Sequence, residues 1–231
     1  MKAEIIDLTI PIHHGMGRLG LSAKFERCVT FEEKGWQGSI FSMFAHLGTH
    51  VDAPVHFIEG TYGIDHVPLD RIIGPAVLMD FSHKSGGEAI TVEEVRQYDK
   101  KLGIKEGEIV IFRTDWTDKK WGTDEFFANS PYVTGEVGEW MAEKKVRAGV
   151  FDFSEEYIVR KPGFEGHECP YHKAVLSKNI YNIEYVKNLN EITKKRCWIM
   201  AMPLKLVGVE GAPARVIAIE FDGEIDFILR K

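Results

Sequence analysis

The sequence predicts an α/β fold in which strands outnumber helices. Two observations carry that expectation. Short apolar, β-branched runs alternate along the chain with stretches of helical period. Three of these runs end at a chemically capable polar residue, His46, Asp152 or Glu184. In open α/β sheets, sites lie beyond the carboxyl ends of strands.

Taken in order, Glu4–Ile10 and Ser39–Ala45 read as strands, and Ala76–Phe81 as a short buried one. Thr91 stands three residues before Glu94, a capping-box spacing that opens a helix over Thr91–Lys101. Glu108–Arg113 follows as a strand. Thr134–Lys145 sets Val137, Trp140 and Met141 on one helical face. Gly149–Asp152 is a short buried strand, Tyr171–Ser177 a helix and Ile180–Glu184 a strand. Cys197–Pro203 and Ala214–Glu220 close the pattern as strands. No repeat, low-complexity tract or Pro/Gly/Ser-rich linker interrupts it, so one domain over residues 1–231 is expected.

Composition narrows the function classes. With 44% hydrophobic and 28% charged residues, the chain is ordinary for a globular protein, which excludes disorder and collagen. The net charge of −6 repels phosphate backbones, so no nucleic-acid partner is expected. Lys194-Lys195-Arg196 reads as a solvated turn before a strand. Cys28, Cys169 and Cys197 are odd in number and lack CxxC spacing, which argues against both a disulfide framework and a thiolate zinc site. The N-terminus has no long apolar h-region, and no apolar run approaches the roughly 18–20 residues of a membrane span. A cytoplasmic protein without a membrane partner is the expectation.

The sharpest signal is a histidine cluster. His46, His50, Asp52 and His56 fall within eleven positions, all at even separations. On extended backbone, even separations share one face. Gly48 and Pro54 argue against a continuous helix, so a strand ending near His46, a Gly turn and then extended chain are expected. Imidazoles and a carboxylate converging in this way suit a borderline divalent cation. The H-E-x-x-H arrangement of zinc proteases is absent.

The segment HLGTHVDAPVHF (46–57) resembles the HxGTHxDxPxH signature of the cyclase-type metal-dependent hydrolases, a family that includes bacterial kynurenine formamidases and isatin hydrolases. The resemblance extends through IIDLTIPIHHGM, GEIVIFRTDW, YNIEYVKNL and EGAPARVIAI. It implies a swivelling β/β/α cyclase-like fold with a mixed sheet. It also implies His46, His50 and Asp52 as ligands of a first metal, with His172 and Glu184, twelve residues apart, completing a second site. Asp52 and Glu184 would bridge the two ions, and His56 matches the catalytic histidine. One or two Zn2+ or Mn2+ ions per chain, a small-molecule substrate and a homo-oligomer (dimer or tetramer) follow from the same likeness. His167 competes with His172, but the spacing to Glu184 favours His172.

The chain also departs from the family pattern. Gly15-Met16-Gly17-Arg18-Leu19-Gly20 lacks the tryptophan and prolines of the family's N-terminal loop. After Asp152, Phe153 stands for a threonine, and Glu155 and Glu156 follow. Both segments are expected near the substrate. The implied reaction is hydrolysis of a small amide, N-formyl or cyclic. Zinc lowers the pKa of its water to about 7 and polarises a carbonyl, while His56 carries the proton. A lactonase or a cyclase/dehydratase on the same metal site, or a non-catalytic metal-binding protein, are the alternatives. Arg113, Asp115 and Arg215 read as structural ion pairs. Trp36, Phe41, Phe44, Phe57 and Tyr62 are expected mostly in the core, with one or two lining the pocket.

Overall fold

The computed structural model describes residues 2–18 and 20–222. Leu19 of the N-terminal loop and the chain beyond residue 222 lie outside that description. The frame consists of strands β1 (Ala3–Asp7), β2 (Lys24–Val29), β3 (Gly38–Ser42), β4 (His50–Asp52) and β5 (Ile73–Asp80), then helix α1 (Val92–Leu102), β6 (Ile109–Arg113), α2 (Gly135–Lys144), β7 (Ala148–Phe151), α3 (Pro170–Leu176), β8 (Tyr181–Glu184), β9 (Arg196–Pro203) and β10 (Gly211–Phe221).

β5, β6, β7 and β8 pair in parallel in that order. Parallel neighbours need crossovers, and α1, α2 and α3 supply them. The α1 crossover starts as the sequence predicts. Thr91 caps it, accepting from the Glu94 amide, and Glu94 returns a bond to the Thr91 amide. β9 and β10 continue the sheet antiparallel. The long β10 then pairs through Gly211–Pro213 with β4, which is also bonded to β8. That shared strand closes seven strands into a mixed barrel, with β1 added along β10.

Alternation along the strands separates two cores. Ala76 and Leu78, Ile109 and Ile111, Val150, Ile183, Ile199 and Val51 fill the barrel interior. Val77 and Met79, Val110 and Phe112, and Phe151 point outward under the helices, where they meet Val95, Val137, Trp140 and Tyr171. Strands buried on both faces read as continuous apolar runs. This explains why β5 to β7 are so plain in the sequence.

The largest differences from expectation lie at the N-terminal side. The strand expected over Ser39–Ala45 stops at Ser42, so His46 sits in a turn and not at a strand end. The chain is extended only over His50–Asp52, and His56 falls on a 3-10 turn over Pro54–His56. The proline at the start of that turn fixes φ and ends the strand. β2 was not expected: its sequence KFERCV is too charged to alternate cleanly, and it pairs with β3 in a hairpin exposed along most of its length. Trp36 and Phe41, expected in the core, are 55% and 59% exposed on that arm. No described helix is long and apolar enough to cross a membrane.

Candidate metal centre

Register places the first acid and base. On β4, His50 stands directly opposite Glu184 of β8, while Val51, opposite Ile183, points into the barrel. Two residues on, Asp52 shares the outer face with His50. His46 reaches the same place from the preceding turn. Gly48, at φ +70°, makes that turn, and Gly211 leaves the room: a Cβ there would lie 2.7 Å from the His46 ring. His172 arrives from the first turn of α3, which begins at Pro170 where a missing N–H is harmless.

The two acids each face two ways. Asp52 Oδ1 lies 2.8 Å from His46 Nδ1 and 3.2 Å from His50 Nε2, whereas its Oδ2 lies 3.6 Å from His172 Nε2. Glu184 presents Oε2 to His50 Nε2 at 3.5 Å and Oε1 to His172 Nε2 at 3.2 Å. Among the described residues, three groups of side chains are compact enough to hold an ion: His46, Asp52 and His56; His50, Asp52 and Glu184; and Glu155, His172 and Glu184.

The donor set fits a cation. His50 Nδ1 lies 2.9 Å from the Gly48 carbonyl, which can only accept, so Nε2 turns its lone pair to the carboxylates. His46 Nε2, His50 Nε2 and His172 Nδ1 are buried without a well-formed hydrogen bond, their facing acids standing at 3.4, 3.2 and 3.4 Å, and Glu155 Oε2 is buried with no partner. Buried polar atoms are rarely left so, and four in one cluster of imidazole and carboxylate suit a divalent ion.

Electrostatics follow from this crowding. Burial pushes the Asp52 carboxyl up, but bonding to His172, His46 and His50 outweighs it and holds Asp52 well below the usual carboxylate range. Burial alone would lower His46, yet Asp52 and Glu210 raise it to about 9. His172 is raised well above normal against burial by Asp52, Glu156 and Glu184. Glu155 goes up, first through burial and then through repulsion from Glu184. His56 is pulled down to about 4, mainly by burial. Its ring stacks on His46 with centroids 4.0 Å apart.

All six residues singled out in the sequence meet here. His167 does not: its side chain is 68% exposed and pairs with Glu165. Asp152 is 0% exposed but lies apart from the cluster, bonded to the Thr114 and Asp115 amides. Arg113 pairs with Asp115 and Asp80, and Arg215 with Asp7. Phe57 packs on His172 at 4.5 Å and Phe44 near His46 at 5.3 Å.

Sequence reasoning missed Glu155, Glu156, Arg18 and Glu210. Glu155 Oε1 lies 3.1 Å from His172 Nε2, and Glu156 accepts the His172 amide at 3.0 Å. Two adjacent acids directly after a buried strand were the available signal. Arg18 stands in the N-terminal segment expected near the substrate but had no role assigned to it there, and Glu210 gave no signal.

A closed mixed barrel carrying buried imidazoles and carboxylates on its outer face defines an α/β protein with a candidate metal centre. The chain belongs to the Cyclase family, whose sequence profile matches residues 6–154. It is 29% identical to an isatin hydrolase of Roseibium aggregatum over 75% of this chain and 71% of that protein. It is also 29% identical to a kynurenine formamidase of Salinibacter ruber over 74% of each. The solved isatin hydrolase A from Labrenzia aggregata superposes with a TM-score of 0.81 at 25% identity, covering 94% of this chain and 93% of that one.

Proposed function

We propose that this protein is a metal-dependent hydrolase of a small amide, N-formyl or cyclic. The observation that carries the reading is the double facing of Asp52 and Glu184, each with one oxygen toward His50 and the other toward His172. His46, His50 and Asp52 would hold one Zn2+ or Mn2+ ion and His172 and Glu184 a second, with Asp52 and Glu184 placed to serve both. Glu155 is a further ligand candidate beside His172. When bound, such ions acidify water toward a pKa of about 7 and polarise a carbonyl.

The chain's own groups do the rest. His56 is half-buried and more open than the other histidines of the cluster. Burial keeps the ring neutral near pH 7, which leaves a nitrogen lone pair to take a proton from water, and the imidazolium so formed, disfavoured by that burial, passes the proton on to the leaving nitrogen. The Gly48 carbonyl holds the His50 ring, and Glu156 holds the start of α3 through the His172 amide.

Likeness to an isatin hydrolase and a kynurenine formamidase supports a small-molecule substrate; the net charge of −6 disfavours a nucleic-acid partner, and a cytoplasmic location without a membrane partner belongs to the same proposal. The exposed Phe31, Trp36, Ile40 and Phe41 on and around the β2–β3 arm support a homo-oligomer, because exposed apolar patches mark association sites. The decisive test is metal content by mass spectrometry together with turnover of formanilide and of a cyclic amide. One or two equivalents of zinc or manganese with hydrolysis supports the reading. A fully loaded protein inert to every amide, or one that takes up neither metal, overturns it.

A further inference from the structure

Arg18 is a cation without an anion of its own. Its Nη1 donates to the His46 carbonyl at 3.0 Å, and its Nε is buried with no partner. Among the described residues no carboxylate pairs with it, in contrast to Arg113 and Arg215. The guanidinium lies against two rings set edge to face, with Cζ 4.9 Å from the centroid of Phe127 and 5.0 Å from that of Tyr185. Its charge is balanced only at longer range, by Glu184, Glu155 and Asp52. Those acids belong to the candidate metal centre, and a bound cation neutralises them. Arg18 then remains as an unpaired positive charge in a desolvated place, which is costly unless an anion arrives.

Arg18 also lines a cavity of about 830 Å³, together with Met16, Trp121, Phe126 and Phe127. That volume is within the roughly 300–1,000 Å³ of small-molecule sites. The aromatic walls suit a ring, and the planar guanidinium fork suits a carboxylate bound through two parallel hydrogen bonds.

We propose that Arg18 anchors a carboxylate on the substrate, so that the substrate is a small aromatic amide bearing a free carboxylate. The amide part rests on the function proposed above, whereas the anion site does not. The first measurement is calorimetric titration of metal-loaded wild type and Arg18→Met with benzoate and with neutral benzamide. Benzoate affinity is expected to fall about tenfold or more relative to benzamide. The second is the ratio of kcat/KM for the formamidobenzoates over formanilide, expected to fall by a similar factor. Arg18→Lys keeps the charge but not the fork, and it should fall between the two. Metal content and Tm show that the variants are folded and loaded. Unchanged ratios in both measurements overturn the proposal. If benzoate discriminates but no amide is hydrolysed, Arg18 keeps its role and the amide reaction falls. If the amides are hydrolysed with selectivity indifferent to Arg18, the reverse holds.

Discussion

Asp52 and Asp152 are both 0% exposed, and burial pushes both carboxyls up. They end in opposite states. Asp52 faces three imidazoles and is held well below the usual range. Asp152 faces neutral donors, the Thr114 amide at 2.8 Å, the Thr114 hydroxyl at 2.6 Å and the Asp115 amide at 2.6 Å, and it stays raised to about 7. Rings that titrate can give up their protons and turn lone pairs to a cation. Fixed backbone dipoles cannot. Asp52 therefore sits where the candidate metal centre could exchange protons for a cation, while Asp152 staples β7 to the turn after β6. That turn carries Asp115 at φ +61° and leads to the aromatic wall beyond Trp116.

The strongest test of this contrast is Asp52→Ala. It removes the acid that faces both His50 and His172, so metal content should fall close to zero and turnover with it. Asp152→Ala should keep its metal. Full metal retention in Asp52→Ala would remove the bridging role.

His56→Ala is next in size. It should keep its metal and lose about 10²–10⁴-fold in kcat, the range for a positioned proton carrier. His56 is also close enough to His46 and Asp52 to form an ion-holding group with them. Loss of metal in this variant would make it a ligand instead.

Asp152→Asn tests the other carboxylate. Asp152's pKa in the folded protein lies above its ordinary 3.8. Its contribution to stability is therefore whole below pH 3.8 and is lost as pH rises through about 7. Urea unfolding from pH 4 to 8 should show wild type losing stability relative to the variant, by on the order of 4 kcal/mol at the extreme. The variant's own misfitted hydrogen bond costs about 1–3 kcal/mol at every pH. A pH-independent difference would mean that the three donors keep Asp152 ionised after all.

The same contrast explains what the sequence could tell. The helical crossovers and β5 to β10 were legible because periodicity and apolar runs are local. His50 and Asp52 were legible as a pair two residues apart on extended chain. Glu184 and His172 joined them only through resemblance to a family, because strand register and the docking of α3 bring them in from more than a hundred residues away. Glu155 and Glu156 were seen as oddities and not as site residues, since adjacent acids usually face water and only the turn after β7 buries them. His46 was placed at a strand end that does not exist, because the Gly48 turn and the gap at Gly211 position it instead. Trp36 and Phe41 misled for the opposite reason: their side chains are apolar, yet the hairpin that carries them stands away from the barrel.

Glu210→Gln asks how far a partly exposed acid joins the buried set. Glu210 Oε1 lies 3.4 Å from His46 Nε2, with its side chain 40% exposed. Contact with His46 draws its carboxyl down to about 2, and Glu210 in turn helps Asp52 hold His46 at about 9 against burial. His46 therefore carries its proton in the metal-free protein. That stabilisation is whole below pH 6.5 and is lost as pH rises through about 9, the window in which metal uptake should strengthen. Removing Glu210's charge lowers His46's pKa, so the uptake midpoint should move to lower pH. Solvent screening keeps the move to about 0.2–0.7 unit. Chelator-competed zinc binding from pH 6 to 9.5 measures it. A move to higher pH would make Glu210 a ligand in its own right. A move beyond one unit would place it, despite its exposure, on the Asp52 side of the comparison.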